Sequence, residues 1–161
     1  MNLTKNISLK FVYISLLLLI FSCSEIFQSN TDYNFVEITQ IIVHNFVDTN
    51  QNGGPWDELS SPDIFATVKE GTENFVNTET FLEIQEYEIP FSLVFPESFV
   101  TPYFYRDIVI YLYEEDIFDD DFIGKSDTFR FADAIEDNNY SSKILLENEI
   151  MDLEISLKWS Y

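Results

Sequence analysis

The residues of this chain with the clearest chemistry are acidic and lie in two polar segments. The first segment contains Asp57 and leads to Asp63; the second contains Glu114, Asp116 and Asp121. If both segments leave the same edge of a fold, their carboxylates converge and repel one another. A hard divalent cation relieves this repulsion, and Ca²⁺ accepts about six to eight oxygen ligands in irregular geometry. The alternative is a solvated acidic surface that holds no ion.

The composition limits the classes of function that the chain can have. Its 161 residues include 29 Asp and Glu against 8 Lys and Arg, a formal net charge of −21. Such a surface is repelled by phosphate backbones, so we expect no nucleic-acid partner. A single Cys rules out an internal disulfide and a Cys-ligated zinc site, and the single His argues against histidine-based catalysis. We therefore expect a protein that is not an enzyme.

The first 22 residues have the pattern of a secretory signal peptide. Lys5 and Lys10 precede the apolar run of residues 11–21, which is short for a membrane span. Ser22 and Cys23 follow at the end of that run and resemble the lipobox of bacterial lipoproteins. The resemblance implies that residues 1–22 are removed and that Cys23 is lipid-modified. A retained membrane anchor and a secreted protein with one unpaired Cys are the alternatives.

A lipid on Cys23 implies that the protein is attached to a membrane of the bacterial cell envelope, and we expect the outer membrane. Several acyl chains hold a protein firmly, since each buried methylene contributes about 0.8 kcal/mol. Residues 23–34 are largely polar and are typical of a short tether. The folded domain is predicted to occupy residues 35–161.

The domain sequence predicts an all-β fold, an antiparallel β-sandwich of eight strands. Short apolar or alternating runs are separated by polar, turn-rich segments, and there is little helical periodicity. Residues 107–113 are the most hydrophobic run and predict a central strand covered on both faces. Only residues 133–147 are compatible with a helix. The remaining predicted strands are residues 35–46, 63–69, 74–84, 88–95, 122–131 and 151–161.

The acidic segments resemble those of C2 domains. Asp57 and Asp63 match the family's first acidic pair in spacing, and Glu114 and Asp116 match the second pair in position, with Glu replacing one Asp. The segment Asp121-Phe-Ile-Gly matches the motif that follows, although the distance from Asp116 to Asp121 is one residue shorter than is common in the family. The resemblance spans residues 35–161. It implies a C2-like sandwich with Asp57, Asp63, Glu114, Asp116 and Asp121 as Ca²⁺ ligands.

Three functions are compatible with these observations. The first is a lipid-anchored, extracytoplasmic C2-like module that binds Ca²⁺ and contacts a protein or a phospholipid through its acidic loops. The net charge favours a protein over a phospholipid partner. The second is a calcium-independent structural or adaptor lipoprotein. The third, a glycan-active sandwich with paired acids, requires two carboxyl groups in unlike environments and is least supported.

Overall fold

The computed structural model describes the chain from residue 33 onwards, with short gaps. Residues 33–161 form one compact unit. The predicted signal peptide, Cys23, most of the tether and Asp57 lie outside the described residues. The described residues are 33–47, 49, 53–56, 61–72, 74–85, 88–116, 120–136 and 139–161.

A five-stranded antiparallel sheet is built around the two longest strands. Strand β1 (Phe35–Phe46) pairs along its length with β11 (Met151–Ser160). Strand β10 (Lys143–Glu147) pairs with the other edge of β11. The short strands β4 (Phe91–Leu93) and β5 (Phe99–Thr101) pair in succession with the free edge of β1.

A four-stranded antiparallel sheet forms the second layer and carries the acidic loops. Its strand order is β3 (Asn74–Asn77), β2 (Ile64–Glu70), β6 (Ile108–Glu114) and β7 (Asp121–Lys125). In β2 every second residue from Ile64 is buried, as period-two alternation requires of a sheet with one face on the core.

The hydrophobic core lies between the inner faces of the two sheets. Strand β1 contains a register shift after Ile38, so its buried residues change from even to odd positions while still facing the core. Phe131, from the connection between the sheets, is fully buried against Phe99 and Phe129. The strand residues of the core include Val36, Ile38, Ile41, Val43, Ile64, Ala66, Val68, Ile108, Ile110, Leu112, Met151, Leu153, Ile155 and Leu157.

The antiparallel β-sandwich predicted from the sequence is confirmed. Within the described residues the two sheets hold nine strands, one more than the eight predicted. The segment 133–147, which the sequence left compatible with a helix, contains no α-helix among its described residues. A short 3₁₀-helix (Phe131–Ala134) is followed by a two-stranded hairpin of β8 (Ile135–Glu136) and β9 (Asn139–Tyr140), and then by β10.

Strand β6 also departs from the expectation that both its faces are covered. Every second residue from Ile108 is buried, whereas Tyr111 and Tyr113 on the other face are partly exposed. The four-stranded sheet therefore presents an aromatic outer face.

Gly124 is required by the close approach of the two sheets at one corner. A Cβ atom at this position would lie 2.5 Å from Cγ2 of Ile150 and 2.9 Å from Cε of Met151. We expect Gly124→Ala to lower the free energy of unfolding by about 1–3 kcal/mol through overpacking. Urea unfolding measures this loss. Because Ile150 supplies the nearest atom, the double variant Gly124→Ala, Ile150→Ala should lose less than the sum of the single changes; simple additivity would contradict the steric explanation.

Candidate metal centre

Strand pairing brings the acidic residues to one edge of the four-stranded sheet. Glu114, the last residue of β6, lies opposite Ile64 of β2 on one side and opposite Asp121 of β7 on the other. The ladder continues one step further, since the Glu115 N–H donates to the Asp63 carbonyl at 2.8 Å. The end of β6 and the starts of β2 and β7 therefore meet at this edge.

Three of the five predicted ligands form a group, which we call the acidic group: Glu114, Asp116 and Asp121. One carboxylate oxygen of each lies within 4.8 Å of the other two. Because Ca²⁺–oxygen distances are about 2.3–2.6 Å, two ligands of one ion are separated by at most about 5 Å. The spacing of the acidic group is thus compatible with a shared ion.

The members of the acidic group differ in their exposure. Glu114 is only 2% exposed, whereas Asp116 and Asp121 are exposed. A buried carboxylate beside two exposed ones places negative charge partly out of water. The attraction between a bound cation and a carboxylate is stronger there than in bulk water. Glu114 would form the inner wall of a metal centre, and the two aspartates would close it from the solvent side.

Asp63 lies beside the acidic group but is not a member of it. Its Oδ1 accepts a hydrogen bond from the Glu83 N–H at 2.5 Å, and Glu83 has a left-handed backbone with φ of 52°. Asp63 therefore holds the segment after β3 against the start of β2. Its role as a ligand stays a prediction, as does that of Asp57.

Two further side chains hold loop residues in place. The Asp116 N–H donates to Oδ1 of Asp120 at 3.3 Å, which joins the two ends of the β6–β7 loop. Trp56 is 8% exposed and its Nε1 donates to the Val47 carbonyl at 2.8 Å. Trp56 therefore attaches its part of the first polar segment to Val47, the residue that follows β1.

Tyr113, the residue before Glu114, has a raised pKa. Burial raises the pKa of Tyr113, and the neighbouring Tyr111 and the carboxylate of Asp120 raise it further. Tyr113 consequently stays neutral well above physiological pH. Asp120 was not among the predicted site residues, and the only signal for it was its place in the acidic run of residues 119–121.

A second polar cluster, which the sequence did not reveal, lies at the opposite end of β2. Glu70 is 3% exposed; its Oε1 accepts a hydrogen bond from Thr101 Oγ1 at 2.5 Å, and its Oε2 lies 3.4 Å from Nη1 of Arg106. The guanidinium of Arg106 lies 3.6 Å from the ring centroid of Tyr103. These contacts link the two sheets and satisfy a buried carboxylate.

Comparison with known proteins identifies the fold. The chain resembles a solved C2 domain with a TM-score of 0.53 and 16% identity, covering 79% of this chain and 98% of that domain. It also resembles a C2 domain of a plant Extended Synaptotagmin 1, with a TM-score of 0.51, 12% identity, and coverage of 78% and 92%. No protein family and no curated protein matches the sequence. The fold is therefore C2-like.

Among the described residues, no helix has the length and apolar character needed to cross a membrane.

Proposed function

We propose that this protein is a lipid-anchored, extracytoplasmic C2-like module that binds Ca²⁺ and serves in protein or cell-envelope interactions without catalysis. The observation that carries the proposal is the acidic group, in which a buried Glu114 shares one small volume with Asp116 and Asp121. C2 domains commonly bind calcium and lipids, and the fold places this group at the end of the sandwich where the β6–β7 loop lies.

The ligand chemistry favours Ca²⁺ over Mg²⁺. All three groups are carboxylates, which are hard oxygen ligands, and Asp63 lies on the same edge. Mg²⁺ demands near-octahedral geometry at about 2.0–2.1 Å and keeps several waters, whereas Ca²⁺ accepts irregular sites.

The proposed location rests on the amino-terminal sequence. The lipobox-like Ser22-Cys23 at the end of a short apolar run supports lipidation and a place in the bacterial cell envelope. An anchored protein needs no second membrane contact, and a net charge of −21 opposes docking on anionic lipids. We therefore favour a protein partner for the calcium-bound end.

Thermal unfolding of the protein without residues 1–23 tests the proposal directly. If one site has a Kd of about 10⁻⁴–10⁻³ M, about 10 mM Ca²⁺ stabilises the folded state by about 1.4–2.7 kcal/mol. For a domain of this size the melting temperature should rise by about 5–10 °C relative to EGTA. The rise should saturate with Ca²⁺ and be absent with Mg²⁺. A flat response up to that concentration would contradict the calcium site.

A calcium-independent adaptor is the second candidate, and one contact favours it. Asp63 uses one carboxylate oxygen to hold Glu83, so this acid has a structural role that requires no ion. The same titration separates the candidates, because an adaptor keeps one melting temperature in EGTA and in Ca²⁺.

A further inference from the structure

The outer face of the four-stranded sheet carries a row of aromatic side chains next to the acidic edge. We call Phe65, Tyr113 and Phe122 the aromatic row; they lie side by side on the adjacent strands β2, β6 and β7. The ring centroids of Phe65 and Tyr113 are 5.3 Å apart, and those of Tyr113 and Phe122 are 5.7 Å apart. Phe122 is 39% exposed, and the other two side chains are partly exposed.

Negative charge borders the aromatic row on the loop side. Glu115 is exposed and lies two residues beyond Tyr113, so period-two alternation places it on the same face. Asp120 is also exposed, and its charge acts on the Tyr113 hydroxyl. We call Glu115 and Asp120 the acidic rim; neither belongs to the acidic group.

An aromatic surface bordered by carboxylates is complementary to a guanidinium. The planar guanidinium stacks on an aromatic ring and donates hydrogen bonds to a carboxylate at the same time, and it is more weakly hydrated than an ammonium. The chain already contains this arrangement internally, since Arg106 lies over Tyr103 and beside the Glu70 carboxylate.

We propose that the aromatic row and the acidic rim together dock an arginine-bearing segment of a partner protein. Charge complementarity supports this occupant, because the chain is strongly acidic and the rim adds local carboxylates beside the rings. On the same sheet face, Lys125 lies opposite Tyr111, one step beyond the aromatic row on the side away from the rim, and its positive charge opposes an arginine there. The segment therefore docks at the loop end of the face. This surface uses no member of the acidic group and goes beyond the proposed calcium binding.

Peptide binding in EGTA tests this proposal without any calcium. The probes are two peptides of equal charge, one alternating glycine with arginine and the other glycine with lysine. We expect the arginine peptide to bind about five-fold more tightly, since only the guanidinium stacks well on the rings. Phe122→Ser should weaken binding of the arginine peptide about five- to ten-fold and remove the preference over lysine.

Leu145→Ser is the matched control, because Leu145 is 63% exposed on the other sheet and the substitution leaves the net charge unchanged. It should change the affinity less than about two-fold, in line with a surface change outside the docking face. Phe122→Leu removes the ring and keeps an apolar side chain, so it tests the same point if the serine variant loses stability. Glu115→Gln should weaken the arginine peptide about two- to five-fold.

Two results would overturn the proposal. Equal affinity for the arginine and lysine peptides, with equal effects of Phe122→Ser and Leu145→Ser, would show attraction by net charge alone. A dimer of the wild-type protein in sedimentation experiments that Phe122→Ser dissociates would assign the aromatic row to a second copy of the chain.

Discussion

Glu114→Gln should abolish the calcium response of the protein while leaving it folded. Glu114 is the buried member of the acidic group, and glutamine has nearly the same shape but no charge. Losing the charged inner ligand removes the 5–10 °C rise in melting temperature expected in about 10 mM Ca²⁺. In EGTA the variant should be about 1–2 kcal/mol more stable than the wild type, because its two acidic neighbours no longer face a third negative charge.

Glu115→Gln is the matched control for this experiment. Glu115 is the next residue along the chain, is exposed, and is not a member of the acidic group. Its substitution should keep the rise in melting temperature with Ca²⁺ within about 2 °C of the wild-type value. Calorimetric titration with Ca²⁺ provides an independent readout of the same difference. An undiminished calcium response in Glu114→Gln would exclude the acidic group as the binding site.

The two glutamine substitutions also separate the proposed calcium site from the proposed docking surface. Glu114→Gln should affect calcium and leave arginine-peptide binding in EGTA nearly unchanged, since Glu114 faces the acidic group rather than the aromatic row. Glu115→Gln should do the reverse. Failure of one proposal would therefore leave the other intact.

The sequence predicted the long strands well because their side-chain pattern is local. The predicted run of residues 35–46 coincides with β1 (Phe35–Phe46), and residues 151–161 differ from β11 by one residue. Both segments combine period-two alternation with β-branched residues. These two signals can be recognised without knowing which strands lie beside the segment in the sheet.

The short strands were harder to predict, because they form only where the chain pairs with one of the long strands. Residues 143–147 were assigned to a segment compatible with a helix, yet they pair with β11 and expose Leu145 between two half-buried residues. Strand β5 (Phe99–Thr101) was missed, since prolines lie close on both sides and only its pairing with β1 makes it a strand. In each case tertiary pairing overrode the local signal.

The acidic group could be predicted because its members lie in one β-hairpin. Glu114 ends β6 and Asp121 begins β7, so a single antiparallel turn brings them together. Placing Asp63 required the pairing of β2 with β6, and its contact with Glu83 depends on a left-handed residue that no pattern in the sequence marks. Tyr113, the central residue of the aromatic row, was assigned to a covered strand, because the pattern of an unbroken apolar run does not show whether its second face is covered or open.

Cys23→Ser should abolish lipid labelling of the protein and, once residues 1–22 are removed, release it from the membrane. If Cys23 carries the lipid, its sulfur is the attachment atom. Serine replaces that sulfur by oxygen with little change in size, so the lipid has no attachment atom. When the full chain is expressed in a bacterial host that is fed a labelled fatty acid, the wild type should carry the label and sediment with membranes. The variant should carry no label, and its signal peptide should stay uncleaved or be cleaved slowly by another route.

The result of this experiment has a simple interpretation because of the cysteine content of the chain. The chain has one cysteine, so a label lost in Cys23→Ser cannot have been attached to another thiol. Ser22→Ala serves as the matched control, because alanine is also small and should preserve both processing and the label. Sedimentation with membranes that persists in Cys23→Ser after removal of residues 1–22 would contradict lipid anchoring, since no acyl chain would then remain to hold the domain. Under that outcome the acidic, C2-like domain itself would have to bind the membrane, against its net charge of −21.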